Sequence, residues 1–231
     1  MRYSLWSVLR TTPGGVYLLS LTQTPNFVPI YIMNTNNIYP IDDRLLQRQA
    51  KETLLQQKGK VFWMTGLSGS GKSTLAQHVE AELYKQGYLT QVLDGDNIRN
   101  GLNKGLGFSD DDRLENIRRV AEVAKLFCNC GVVTFVSFIS PKQSERDFAR
   151  SIIGSDNFAE VYISAPYDKC EERDVKGLYA KARAGEIKDF IGLHTPYEAP
   201  THPELEISTH TLTIPQATDL LLHAVLGYIQ F

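Results

Sequence analysis

From residue 61 onward, short apolar runs alternate with longer stretches whose apolar positions recur every three or four residues. The runs 61–65, 91–94, 132–138, 159–164 and 206–209 have the length and composition of buried strands. Between and after them the periodicity predicts helices over 72–86, 111–129, 142–153, 167–173 and 215–229. Val132-Val133-Thr134-Phe135-Val136 is almost continuously apolar, as a central strand covered on both faces must be. Upstream, Leu45, Leu46, Ala50, Leu54 and Leu55 fall on one face of a predicted helix over 42–57, ended by Gly59. Strand–helix alternation at this spacing implies an α/β fold, a parallel sheet sandwiched by helices, in one domain with a helical lead-in. Internal repeats and low-complexity tracts are absent.

Sheets of this kind bind ligands at the carboxyl ends of their strands. The first predicted strand runs into Gly66-Leu67-Ser68-Gly69-Ser70-Gly71-Lys72-Ser73-Thr74, which matches G-x-x-x-x-G-K-[ST] without substitution. Strand before and helix after are the context in which this pattern is a phosphate loop of the P-loop NTPase type. Glycines let backbone N–H groups face an anion with no Cβ in the way, and the helix N-terminus adds its positive end. Lys72 is placed to reach the β- and γ-phosphates of ATP, and the Ser73 hydroxyl to bind Mg²⁺.

The second strand ends in Leu93-Asp94-Gly95-Asp96-Asn97-Ile98-Arg99. Phosphoryl transfer needs a metal partner and a group that orients the attacking hydroxyl. Asp94 and Asp96 suit both tasks, and the residues do not say which does which. A helix start here lets an aspartate cap and act in chemistry together. Farther on, Arg99, Arg113 and Asn116 could form a positive pocket for an anionic acceptor, or simply a solvated basic face.

Charge adds little. Lys plus Arg number 24 against 26 Asp plus Glu, a net −2 over 231 residues, so nothing pulls the whole chain toward nucleic acid or a membrane. Cys128, Cys130 and Cys170 suit a reducing compartment better than a disulfide framework. No run is long and apolar enough to span a bilayer. Residues 1–32 are rich in Ser, Thr, Pro and Tyr and poor in acids. They read as a non-native or disordered extension, with Met33 as the expected start and 33–231 as the domain.

Several ordered stretches point to one family. They are the loop 65–74, Asp94-Gly95-Asp96-Asn97-Ile98-Arg99, Gly101-Leu102-Asn103, Leu106-Gly107-Phe108-Ser109 and Glu115-Asn116-Ile117-Arg118-Arg119. Phe138-Ile139-Ser140-Pro141, Cys170-Glu171-Glu172-Arg173-Asp174, Lys176-Gly177-Leu178-Tyr179 and Pro196-Tyr197-Glu198-Ala199-Pro200 complete the set. Together they resemble the adenylylsulfate kinases, over nearly everything from residue 41 to the C-terminus.

That resemblance implies transfer of the γ-phosphoryl of ATP, with Mg²⁺, to the 3′-hydroxyl of adenosine 5′-phosphosulfate (APS), giving 3′-phosphoadenosine 5′-phosphosulfate (PAPS). It carries Arg99, Phe108, Arg113, Asn116, Ile139, Ser140, Lys176, Gly177, Leu178 and Phe190 into acceptor binding. Phe108 and Phe190 are then expected on the two faces of the APS adenine. Ser140 corresponds to a serine associated with a phosphorylated enzyme form; in-line transfer needs no such intermediate, and the same serine could cap the following helix. Residues 165–192 resemble a mobile lid in which Arg173, Lys176 and Arg183 close over phosphates. A homodimer, a cytoplasmic location and a possible association with sulfate adenylyltransferase are implied too.

Lys142-Gln143 replaces the family's usual aromatic (or His) and Arg, Ile191 a Thr, and His194 an Asp. The missing Arg is expected to weaken acceptor contacts, though Arg146 lies one helical turn on, and His194 to alter nucleotide affinity or its pH dependence. Two other readings remain: a kinase for another small acceptor, and a regulatory subunit that holds APS without turnover.

Overall fold

The computed structural model describes residues 9–12, 15–18 and 38–231. The chain divides into two units, Met1–Leu45 and Leu46–Phe231. In the first, β1 (Leu9–Thr12) pairs antiparallel with β2 (Gly15–Leu18), and a single 3-10 turn covers Asp42–Arg44. Met33 and most of the segment read as an extension lie outside the described residues.

The second unit begins with α1 (Arg48–Leu55). Five parallel strands follow: β3 (Lys60–Thr65), β4 (Thr90–Asp94), β5 (Val133–Ser137), β6 (Phe158–Ser164) and β7 (Leu205–Ser208). Their order across the sheet is β4-β5-β3-β6-β7. Thus β5 is interior as its apolar run requires, while β3, which feeds the phosphate loop, takes the middle place.

Alternation along β3 divides the core. Phe62 and Met64 pack on one face with α2 (Lys72–Lys85) and α8 (Ile214–Ile229) through Leu75, Val79, Leu83, Leu221 and Val225. Val61 and Trp63 pack on the other with α4 (Asp110–Asn129) and α5 (Gln143–Ile153) through Ile117, Val120, Ala124 and Ala149. The α8 boundary follows from a capping box between Thr213 and Gln216 with Pro215 in the first turn. Three short helices complete the unit: α3 (Gly95–Asn100), α6 (Tyr167–Arg173) and α7 (Leu178–Arg183).

The predicted helix over 42–57 is not continuous. Leu45 and Gln47 are extended, and α1 spans only Arg48–Leu55. Leu45, Leu46 and Leu54 are exposed, not part of a buried stripe. Polar bonds hold α1 in place: Arg48 donates to Glu52, to the Gly59 carbonyl and to Asn157, and Glu52 accepts from the Gly59 N–H.

Candidate active site

The loop after β3 uses glycine where a side chain cannot fit. Gly66 lies at φ +150°, and a Cβ there would come within 2.5 Å of the Ile163 carbonyl oxygen. Gly69 lies at φ +75°, and its Cβ would meet the Cys170 carbonyl oxygen at 2.8 Å. Any other residue at either position would push the loop off β6 or α6.

The loop turns into α2 at Lys72, which is buried and donates to the carbonyls of Gly66 and Leu67, each at 2.8 Å. Burial draws this ammonium down from 10.5 to about 8; the charge of Lys176 adds to the effect, and Asp94 and Asp96 oppose it. Ser73 Oγ donates to Asp94 Oδ2 at 2.6 Å and lies 3.1 Å from Ser137 Oγ. Oxygens from α2, the end of β4 and the end of β5 therefore meet at one point. Among the described residues no group of three or more His, Cys, Asp or Glu gathers as a metal cage. One carboxylate with hydroxyls suits Mg²⁺, which keeps several waters and takes few protein ligands.

The two aspartates are now distinguished. Asp94 is also the N-cap of α3, its Oδ1 accepting from the Asp96 N–H at 3.1 Å. Asp96 has an exposed side chain, and its carboxylate pairs with Lys176 of the lid segment.

Past the end of β5 lies a cavity of about 300 Å³, whose walls include Phe108, Arg113, Pro141, Lys142, Ile191 and Thr195. Phe108 is 65% exposed, with the Arg99 guanidinium 4.4 Å and the Arg113 guanidinium 5.7 Å from its ring centre. The same arginines hold the loop: Arg99 donates to the Gly107 carbonyl at 2.9 Å, and Arg113 to Phe108 at 2.9 Å and Asp189 at 3.3 Å. An exposed ring with two guanidiniums close by is suited to an aromatic anion.

Other expected residues are placed differently. Asn116 is buried, and its Oδ1 accepts from Asn103 Nδ2 at 2.8 Å. Ser140 is buried at φ +36°, and its Oγ accepts from the Trp63 indole N–H at 3.0 Å. Lys142, not Ser140, caps α5. The Ile139 carbonyl accepts from Thr65 Oγ1 at 2.7 Å. Phe190 is buried. It packs edge-on against Tyr179, 4.9 Å between ring centres, inside a lid core with Ala165, Cys170 and Ala182. Burying the ring there leaves Asp189 and Ile191 to line the cavity.

In the lid segment, Arg173 donates to the Gly69 carbonyl at 3.1 Å and the Thr209 carbonyl at 2.8 Å, bridging the phosphate loop to the end of β7. Arg183 pairs with Glu171 inside the lid, with no bond to the loop. Gly177, at φ +65°, starts α7, and Leu178 packs against the lid core. Arg146 is not an acceptor contact, because it is buried in an ion pair with Glu160 at 2.6 Å. Gln143 accepts from Arg146, and His194 Nδ1 accepts from the Phe190 N–H at 3.2 Å.

Three contacts at the site fell outside the sequence reading. Tyr179 donates to the Ser68 carbonyl at 2.8 Å, Thr209 Oγ1 to the Ser70 carbonyl at 2.7 Å, and Tyr197 lies 2.9 Å from Thr65 Oγ1. Thr209 directly follows β7, so the strand-end rule that found Asp94 also covers it. Tyr179 and Tyr197 stand in recognised stretches but carry no charge to mark them.

The family model described as adenylylsulphate kinase matches residues 58–208. A curated adenylyl-sulfate kinase of Bacteroides fragilis is 56% identical over 191 residues, covering 83% of this chain and 95% of that protein. One from Clostridium acetobutylicum is 54% identical, covering 77% and 88%. Among solved structures, a Mycobacterium tuberculosis APS kinase in complex with AMPPNP and APS is 46% identical at a TM-score of 0.70, covering 73% of this chain and 98% of that one.

Proposed function

The chain belongs to the adenylylsulfate kinase family, and we propose that it transfers the γ-phosphoryl of ATP to the 3′-hydroxyl of APS, yielding PAPS and ADP. The observation that carries this reading is that the end of β5 serves two groups of residues. Ser137 meets the Ser73–Asp94 pair, itself 2.6 Å apart, and Pro141 and Lys142 just downstream wall the cavity that holds Phe108 and Arg113.

In this proposal Lys72 exchanges the Gly66 and Leu67 carbonyls for the β- and γ-phosphates. Ser73 and Asp94 would hold Mg²⁺, which would neutralise charge on the phosphates. Asp96, free of the metal, orients the 3′-hydroxyl and takes its proton as the bond to phosphorus forms. Phe108 stacks on the acceptor adenine, and Arg99 and Arg113 face the phosphosulfate. Ser140 accepts from the Trp63 indole N–H, which leaves its O–H as a donor for the acceptor side. Arg173 and Tyr179 draw α6 and α7 onto the loop, which keeps water from the γ-phosphate.

Family membership also supports a homodimer, a cytoplasmic location and possible association with sulfate adenylyltransferase. Among the described residues no helix is long and apolar enough to cross a membrane. The test of the reaction is incubation with Mg-ATP and APS, with APS omitted as the control. APS-dependent PAPS formation that disappears in Lys72→Ala supports the assignment. Bound ATP and APS without PAPS would overturn it in favour of a regulatory subunit.

A further inference from the structure

Lys142 stands where the polypeptide leaves the end of β5 and enters α5, on the wall of the cavity that holds Phe108 and Arg113. Its ammonium pairs at 2.8 Å with Oδ2 of Asp110, the first residue of α4 and another residue of the cavity wall. The pair joins the two helices that flank the acceptor cavity. Both side chains are accessible, 36% for Lys142 and 76% for Asp110, so water and salt screen their attraction.

The other cations here are committed to backbone. Arg99 and Arg113 spend donors on the carbonyls of Gly107, Phe108 and Asp189, which shape the Phe108 loop. An ammonium carries three donors, and Lys142 Nζ is tied to an exposed carboxylate that can be exchanged at small cost. We propose that Lys142 is a further binding residue for the anionic group of the acceptor, and that Asp110 is the built-in competitor that holds it between turnovers. This rests on the reading of the acceptor as APS, a nucleotide with two acidic groups joined in a phosphosulfate.

Opposite signs follow for the two partners. Losing Lys142 removes a cation from the cavity. Losing the Asp110 charge frees that cation and removes an anion that repels the acceptor. A plain strut between α4 and α5 behaves otherwise, because either loss loosens the same contact and moves affinity the same way.

The experiment compares wild type, Lys142→Met, Lys142→Arg and Asp110→Asn at low salt, with APS and ATP varied separately. Lys142→Met is expected to raise KM for APS about fivefold, with kcat and KM for ATP little changed. Lys142→Arg restores most of the affinity. Asp110→Asn lowers KM for APS about twofold, and this gain fades as salt is added. Shifts of Lys142→Met and Asp110→Asn in the same direction, or no change in KM for APS in Lys142→Met, would overturn the proposal. Wild type that makes no PAPS would instead remove the reaction assignment beneath it, a distinct outcome.

Discussion

Arg146 offers a sharp separation between structural and binding roles. Its side chain is 1% exposed. Nε donates to Glu160 at 2.6 Å, Nη1 to the Ser140 carbonyl at 2.8 Å, and Nη2 to Gln143 Oε1 at 2.7 Å and the Glu198 carbonyl at 2.8 Å. Arg146→Met keeps most of the aliphatic volume but strands the Glu160 carboxylate, leaving Arg150 at 4.0 Å as a distant partner. Breaking a buried pair from one side costs about 3–5 kcal/mol. For a unit of this size that is a fall of about 10 °C in Tm. Burial already pushes the Glu160 carboxyl up, against the pull of Arg146. Without that pull the raised pKa rises further, and protonation relieves the stranded charge. The stability gap to wild type should therefore narrow as pH falls. Arg146→Met combined with Glu160→Leu should recover much of the loss, since both charges are gone. Thermal and urea unfolding read the stability, and KM for APS is measured well below Tm. A variant as stable as wild type but with KM for APS raised tenfold would refute the structural role and make Arg146 an acceptor ligand.

Lys72 gives a pH prediction with two opposed signs. Its pKa in the folded chain is about 8 against the ordinary 10.5, so above pH 8 the ammonium is progressively lost and KM for ATP should rise in steady-state assays. Over the same window the unfolded chain binds the extra proton, so the Lys72 contribution to unfolding free energy should increase with pH; Lys72→Met should flatten that rise in pH-dependent urea melts. Asp94→Asn keeps a good N-cap for α3 but removes the charge beside Ser73. Tm should hold within a few degrees, while kcat/KM falls about a hundredfold or more and the Mg²⁺ needed for half-maximal rate increases. Tyr179→Phe deletes the bond to the Ser68 carbonyl at a cost of about 1 kcal/mol. KM for ATP should rise severalfold with little change in KM for APS, as initial rates with each substrate varied will tell.

Elements whose burial and periodicity agree were legible in the sequence. The five strands and the helices α2, α4, α5, α6 and α8 fall within one or two residues of their expected bounds. The lead-in misled because its leucines satisfy the helical period yet stand exposed, and the bonds that hold it reach Gly59 and Asn157, beyond any local pattern. Candidate chemistry was legible where a short motif fixes geometry, as at Lys72, Ser73 and Asp94. It was not legible where a side chain had two plausible neighbours. Phe190 meets Tyr179, not the cavity, and Arg146 meets Glu160 from β6, because partners on separate elements leave no mark in either local sequence.

The charged groups of the site share one property that bears on how it would work. Lys72 rests on loop carbonyls, Ser73 on Asp94, Lys176 on Asp96, Arg173 on Gly69 and Thr209, and Lys142 on Asp110. Each of these cations and the Ser73 hydroxyl therefore has a protein partner, which avoids the penalty of an unpaired charge. Substrate binding then becomes an exchange of partners, so its net gain is a difference between two sets of bonds. The exposed pairs, Lys176–Asp96 and Lys142–Asp110, exchange at least cost, and the second joins two walls of the cavity. The buried bonds of Lys72 exchange at most cost, and only a multiply charged phosphate repays it. Weak exposed pairs beside a strong buried one would place tuning of acceptor affinity in residues outside the phosphate-loop motif.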